Sequence, residues 1–511
     1  MPDNHAPTRT TNRPLPANRL MLLLAIGLAI HFAFGWLLTL SVDEAHYAYY
    51  AARLDWSYFD HPPLVGWAQW PLVAIGAPDG LIRLVPQLLW LLACLQAYQL
   101  TQHLCAIRAT AGDRDIDPDT AGLWAVGLIL LAPVMHVLAV GLLPDTLLMV
   151  ITMGLMRSCI QLCDPSHAKH TGPWLWLGVL LGLAGLAKYT AVFPALALTI
   201  LLAMQHGPHL LKRPGPWLAM LIGAVMVSPV FYWNAVHDWI SFLYQINHGA
   251  GGSWKLRRFL AFFAVQLVSY GPLLVLGTIW ALMSIKKHPS RLQFGLLLFF
   301  LIPFVITAYL SGGGGSLPHW TAPAWLAVTP FAAIAITSHW HGSAQRLIRT
   351  LVWVQGVICV SAFVILFSAG LPGVSQSDSL GKKNPIADLW GWDEAGKLAQ
   401  SLSEKLRVDT LTVRNWTLAS RLAWYARPMP VVVIDKRIDQ FDLWFGTMQP
   451  GRDALFVNWS QMPFALPVQD DQFRSCIEVG RLDIRRLGRV ISDFSFFHCQ
   501  DWQGKAAEAS K

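Results

Sequence analysis

Ser41-Val42-Asp43-Glu44-Ala45-His46-Tyr47-Ala48-Tyr49-Tyr50, followed by Tyr58-Phe59-Asp60-His61-Pro62-Pro63-Leu64, stands just past the first long apolar run of the chain. Charge at membrane depth is costly and marks a pathway or a reaction. Asp43 opens a helix-like stretch, so it also suits a plain N-cap, and Glu44 suits the positive end of the same helix dipole. That bland reading covers one acidic residue well and the whole constellation poorly. The aromatic side chains at 46, 47, 49, 50, 56, 58 and 59 fit a helix lying in the membrane interface and equally fit sugar stacking. Pro62-Pro63 imposes an extended, rigid turn, which holds Asp60 and His61 in place near the membrane surface.

Composition fixes the class around this stretch. Of 511 residues, 54% are hydrophobic and 13% charged, against about 25% charged in ordinary soluble domains. Apolar runs of membrane-crossing length fall near 20–40, 81–103, 121–141, 144–163, 173–190, 192–206, 216–234, 260–285, 291–310, 319–338 and 347–369. The expected fold is therefore an α-helical polytopic membrane protein of about eleven spans. Residues 1–18 are polar and read as a disordered cytoplasmic tail, with no small-residue cleavage site after the apolar run that follows. With that tail inside, the inner loops carry Arg108 and Arg114, Arg157 and Lys169, Lys212 and Arg213, Lys286, Lys287 and Arg291, and Arg346 and Arg349. All are basic, as the positive-inside rule asks. The net charge of +8 is accounted for by these loops and calls for no nucleic acid.

An odd number of spans puts residues 370–511 outside, after the membrane domain 19–369. Gly373 to Asn384 reads as a linker. Short β-type runs at 410–413, 431–434 and 454–457, with a helix-like stretch at 417–426, fit a small α/β extracytoplasmic domain. Five cysteines lie in or beside spans, where Cys acts as a small hydrophobe. Cys476 and Cys499 are external, and an oxidising compartment lets them pair.

The same parity puts Asp43, Glu44, Asp60, His61, Asp145, Lys188, the stretch Asn234 to Asp238 with His237, and His319 on one face of the bilayer. Arg257 and Arg258 are basic on that outer face, against the rule. They either bind an anion there or snorkel to lipid headgroups. The outer loops 41–80 and 234–258 would roof the shared space.

An Asp-Glu pair after the first span, aromatics, then an acidic-basic-Pro-Pro-Leu turn resemble the polyprenyl-phosphate-sugar-dependent glycosyltransferases of the GT-C fold. The likeness is to bacterial lipid A aminoarabinose transferases and, more distantly, to protein O-mannosyltransferases. It continues in order through Leu143-Pro144-Asp145, Ala187-Lys188-Tyr189-Thr190, Trp233-Asn234 with His237-Asp238-Trp239, and Leu317-Pro318-His319-Trp320. Two departures stand out. His61 occupies the place of a lysine implicated in gripping the lipid phosphate, and Trp320 that of a tyrosine. A histidine is mostly neutral above a pKa of about 6.5, so His61 is the weaker phosphate ligand.

The resemblance implies sugar transfer, with inversion, from a polyprenyl-phosphate-linked donor to a lipid, glycan or protein acceptor on the outer face of the cytoplasmic membrane. Such a donor brings its own leaving group, in keeping with a chain that has no P-loop or dinucleotide fingerprint. On this reading Asp43, with Glu44 and Asp145, forms the catalytic group, and Asp43 takes the acceptor proton. Lys188, His61, Arg257 and Arg258 would neutralise the departing phosphate. Asp60, Tyr189, Asn234, His237, Asp238, His319 and Trp320 would complete the substrate site. A divalent metal ion is the one cofactor left open: with an already ionised phosphate as acceptor Asp43 would position it or bind a metal, and Asp145 would orient Lys188 or a metal. A transporter or flippase for a lipid-linked glycan also needs charge at membrane depth, though such proteins favour inverted repeats and midplane charges. An assembly scaffold leaves Asp43 and Lys188 unexplained.

Overall fold

A computed structural model describes residues 16–110, 116–287, 290–369 and 384–504. Most of the expected tail, most of the linker 373–384, and Arg114 lie outside these. Eight described helices are long and apolar enough to cross a membrane, or up to ten if each of two bent helix pairs counts as one span. The chain is a multi-pass membrane protein. Each of the eleven apolar runs expected from the sequence coincides with a described helix or bent helix pair, ten of them long enough by this measure and one shorter. The run expected at 121–141 is the pair Pro118–Leu130 and Pro133–Val140, bent by 76°, and that at 260–285 is the pair Leu256–Tyr270 and Pro272–Ser284, bent by 109°. Proline opens the second helix of each pair, where its missing N–H costs nothing. The run expected at 173–190 is Thr171–Ala187, 17 residues, short of the ~20 of a straight crossing. It stops because Lys188 is extended, at φ −159° and ψ 143°.

Bends expose backbone groups that lipid cannot satisfy. A single side chain serves both. Gln355, on the Gly342–Leu366 helix and 1% exposed, donates from Nε2 to the Leu131 carbonyl (2.9 Å) and accepts at Oε1 from the Leu273 N–H (3.0 Å). Gly271 sits against it at φ +84°, where an added Cβ would fall 1.6 Å from Nε2, so only glycine fits. Gln355→Leu keeps the volume and orphans both groups, at about 1–3 kcal/mol each. The variant is expected to melt several degrees lower in detergent, and an unchanged melting temperature would show the bends to be held otherwise.

The C-terminal domain carries a five-stranded sheet, β1 (Leu411–Val413), β2 (Val431–Val433), β3 (Ala454–Trp459), β4 (Phe473–Arg486) and β5 (Arg489–Trp502), in the order β2-β1-β3-β5-β4. β1 pairs in parallel with β2 and β3, β5 is antiparallel to β3 and β4, and Leu411 stands opposite Val431. The first three strands and the Trp416–Tyr425 helix fall where the sequence put them. The long β4–β5 hairpin was not foreseen. Cys476 and Cys499 face each other across it and are disulfide-bonded.

This domain sits on the loop after the first span. The Val42–Ala52 helix presents Ala45, Ala48 and Tyr49 to a core shared with Leu418, Leu422 and Trp424. Those positions follow the i, i+3, i+4 spacing of one helix face. Asp79 accepts from Trp424 Nε1 (3.0 Å) and the Tyr425 hydroxyl (2.5 Å), and that hydroxyl accepts from the Leu40 N–H (2.7 Å). The aromatics of the loop therefore do not lie in lipid. Residues 46, 47, 49, 50, 58 and 59 are all buried, and only Trp56 is exposed. The helix is sandwiched between two domains, which removes the face that an interfacial helix would give to the membrane.

Candidate active site

The opening of the Val42–Ala52 helix is anchored by Arg83. Its Nε and Nη2 bind the two Glu44 oxygens at 2.7 and 3.1 Å, Nη1 binds the Gly35 and Leu38 carbonyls, and Nη2 also binds the Thr39 carbonyl. All five guanidinium donors are used, three of them on the frayed end of the first span. Glu44 also accepts from the Ser41 N–H and hydroxyl, at 3.0 and 2.8 Å. Burial works to raise its pKa, but Arg83 and Ser41 outweigh it and hold the carboxyl below the usual range. Glu44, expected in the catalytic group, is thus fully committed to holding the helix against the first span.

One residue earlier the situation reverses. Asp43 is half-buried, and among the described residues no hydrogen bond or ion pair reaches its carboxylate. Burial pushes its pKa up to about 6, opposed by His46 and reinforced by Asp60, Asp145 and Asp388. The same helix face carries His46, Tyr47 and Tyr50, spaced at i+3, i+4 and i+7. Tyr50 donates to Asp60, and His46 Nε2 lies 3.6 Å from the same carboxylate. Burial raises the Asp60 pKa, but His46, His61 and Tyr50 together pull it well below the carboxylate range.

Asp145 opens the Pro144–Cys163 helix, 2% exposed, and both its oxygens accept from Lys188 Nζ, at 2.6 and 2.7 Å. His319 Nε2 lies 3.8 Å from Asp145, and the Trp320 ring centroid is 5.9 Å from Lys188 Nζ. The short helix Pro318–Thr321 that bears them is tied down by the Tyr270 hydroxyl to the Pro318 carbonyl (2.9 Å) and by Thr321 to Gln266 (2.6 Å). His61 packs edge-on against Tyr47, and its Nδ1 is buried without a partner. Burial lowers its pKa to about 4, helped by Lys188 and His46, so it is a neutral imidazole at neutral pH.

The structure therefore brings Asp43, Asp60, His61, Asp145, Lys188, His319 and Trp320 into one electrostatic neighbourhood. Tyr189 borders it, its hydroxyl 3.4 Å from Ser57 Oγ. Asn234 lies beside Tyr189 and opens the next turn, which His237 and Asp238 build. Asn234 O accepts from the His237 and Trp239 amides at 3.2 and 2.7 Å, His237 stacks on Trp233, and Asp238 is exposed at φ +54°. Arg258 donates to the Gly313 carbonyl (3.1 Å), Arg257 is exposed, and neither is bonded to the carboxylates among the described residues. No group of three or more His, Cys, Asp or Glu side chains among the described residues has the geometry of a metal site.

The C-terminal domain supplies what sequence reasoning missed. A cleft between the domains is lined by His46, Asp60, Tyr244, Trp416, Arg437 and Asp439. Arg421 lies buried between Trp392 and Trp459, 3.7 and 5.0 Å from their ring centroids, and pairs with Asp388, both within electrostatic reach of Asp43. No motif marks these positions. The one available signal was His46, which stands i+3 from Asp43.

Residues 60–233 match the family described as dolichyl-phosphate-mannose-protein mannosyltransferase. A lipid A galacturonosyltransferase of Rhizobium johnstonii, RgtD, is 23% identical over 391 residues, covering 76% of this chain and 77% of its own length. The fold is that of ArnT from Cupriavidus metallidurans. Its apo structure superposes with a TM-score of 0.63 at 15% identity over 94% of this chain and 98% of that one. Its structure bound to undecaprenyl phosphate gives 0.62 at 16% identity, over the same shares of the two chains.

Proposed function

We propose that this chain, a membrane glycosyltransferase of the GT-C fold akin to the lipid A aminoarabinose transferases, moves a sugar from a polyprenyl-phosphate-linked donor to a lipid or glycan acceptor. The reaction takes place at the outer face of the cytoplasmic membrane, with residues 19–369 as the catalytic domain and 370–511 outside. The observation that carries this reading is the pairing of opposites in one neighbourhood. A cation, Lys188, is locked on Asp145, and a carboxylate, Asp43, has no partner of its own among the described residues. A half-buried carboxylate without a partner is costly and is kept where a substrate completes it.

In the reaction the acceptor oxygen attacks the anomeric carbon, forming the new C–O bond. The bond from that carbon to the phosphate oxygen breaks, and its electron pair leaves with the lipid phosphate. Asp43 takes the proton of an acceptor hydroxyl, and with a pKa of about 6 it is mostly ionised at neutral pH. The Lys188 ammonium has three N–H donors. Asp145 takes two in a bidentate clasp, and the third is left for the phosphate. His61, neutral and with a free buried Nδ1, adds a hydrogen bond and not a charge. In-line attack gives inversion.

The relatives bear on the substrate. One is named for lipid A and galacturonate, and the other holds undecaprenyl phosphate. Mass spectrometry of envelope glycolipids from a deletion strain is expected to show one glycolipid short of one sugar, restored by the wild-type gene. An identical glycolipid profile would count against the assignment.

A further inference from the structure

Residues 57–61 carry Asp60 and His61 into the site, and they form neither helix nor strand. Ser57, Tyr58 and Phe59 are nevertheless buried. Buried backbone outside regular structure needs hydrogen-bond partners from elsewhere. One bond is internal: the Tyr58 N–H donates to the His61 carbonyl at 3.1 Å. Three come from side chains far along the chain. Ser241 Oγ donates to the Tyr58 carbonyl at 2.7 Å, and Gln245 Nε2 to the Asp60 carbonyl at 2.5 Å. Gln440 Oε1 accepts from the Phe59 N–H at 2.7 Å.

These partners belong to two domains. Ser241, Tyr244 and Gln245 lie on the helix Ile240–Ala250 of the membrane domain, at the i, i+3, i+4 spacing of one face. Gln440 opens the helix Gln440–Phe445 of the C-terminal domain, is 3% exposed and lines the cleft between the domains. The Tyr58 carbonyl and the Phe59 N–H are the two ends of one trans peptide, and in a trans peptide those groups point in opposite directions. One domain therefore holds that peptide by its oxygen and the other by its hydrogen. The two sides also meet over the turn, where the Phe59 ring lies 4.7 Å from that of Tyr244 and Arg437 Nη2 donates to the Tyr244 hydroxyl at 3.2 Å. Behind the turn, Pro62 and Pro63 have fixed φ, and Pro62 disfavours a helical backbone at His61. The turn also reaches the cation of the site, since Ser57 Oγ is 3.4 Å from the hydroxyl of Tyr189, the residue after Lys188.

We propose that Gln440 and Gln245 are positioning residues for the donor phosphate, gripping the 57–61 turn from the two domains and so fixing where His61 stands. The inference rests on the reading of His61 and Lys188 as phosphate ligands. Gln440 acts on the Tyr58–Phe59 peptide, whose neighbouring Tyr58 N–H holds the His61 carbonyl, and Gln245 acts on the peptide joining Asp60 to His61. The C-terminal domain is then a working part of the donor site, since one of the two grips comes from it.

The test titrates undecaprenyl phosphate into the purified full-length protein by calorimetry, with folding checked by thermal melting. Gln440→Met keeps the length of the side chain and removes the acceptor. Its affinity for undecaprenyl phosphate is expected to fall about tenfold, the effect of one unmade hydrogen bond to a buried amide. The double variant with His61→Ala separates positioning from packing. Residues that act through one another are non-additive, so Gln440→Met should weaken binding no further once the imidazole is gone. Gln245→Met is expected to behave alike, and the same two measurements on it decide the matter if Gln440→Met does not fold. Wild-type affinity in a folded variant would overturn the positioning role, and so would a full additive loss in the His61→Ala background. If His61→Ala itself binds undecaprenyl phosphate as wild type does, the reading of His61 as a phosphate ligand fails, and the positioning role with it.

Discussion

Asp43→Asn is expected to lower sugar transfer by roughly 100- to 10,000-fold, the range typical of losing a general base, with binding of undecaprenyl phosphate retained. The amide is nearly isosteric and, among the described residues, Asp43 supports no other side chain, so the fold should be untouched. The effect carries a pH signature. Only the ionised carboxylate takes a proton, so wild-type activity on a hydroxyl acceptor should rise with pH through about 6, where burial has moved this group, and fall away below it. The residual activity of the variant should lack that acid limb. Transfer measured with the variant at half the wild-type rate or more would end the case for Asp43 as the base. The same readout tests Glu44 by contrast. Glu44→Gln disrupts the Arg83 clasp and is expected to act through stability.

Lys188→Ala is expected to abolish donor binding as well as turnover, and to destabilise the protein. The amine is 6% exposed and its partner Asp145 is 2% exposed. Breaking a buried pair from one side leaves the other charge uncompensated, at about 3–5 kcal/mol. Loss of activity alone would therefore say little, and the second half of the pair separates the causes. Lys188→Met combined with Asp145→Leu replaces the ion pair by apolar groups of similar volume, an exchange often neutral for stability. The double variant should recover the melting temperature and remain inactive, with undecaprenyl phosphate binding still weak. Recovery of binding together with stability would make the pair purely structural.

How much of this could be read in advance depended on range. The membrane class, the basic inner loops and the first three strands of the C-terminal domain follow from local composition and periodicity. So do the individual site positions Asp43, Asp145 and Lys188, each at the end of an apolar run. The two sharp bends did not, because an apolar run of the right length looks the same whether it is straight or broken at Pro133 or Pro272. The shortness of Thr171–Ala187 was likewise hidden, since Lys188 could in principle have continued the helix.

What the sequence by itself determined is which residues bear charge in a setting that penalises charge, since that penalty is a property of composition and does not depend on partners. The tertiary structure alone decided what each charge does. Asp43 and Glu44 are adjacent and chemically alike, yet a helix turns successive side chains to different faces. One meets two of the donors of Arg83 from another span, and the other, among the described residues, has no hydrogen-bond partner beside His46. The aromatics at 46–50 suited a membrane interface and sugar stacking equally, because nothing local announces a second domain more than 300 residues later. Contacts over such separations leave no periodicity in the chain, and only the docking of Ser420 onto the Val42–Ala52 helix and of Tyr425 onto Leu40 just before it made that face an interior.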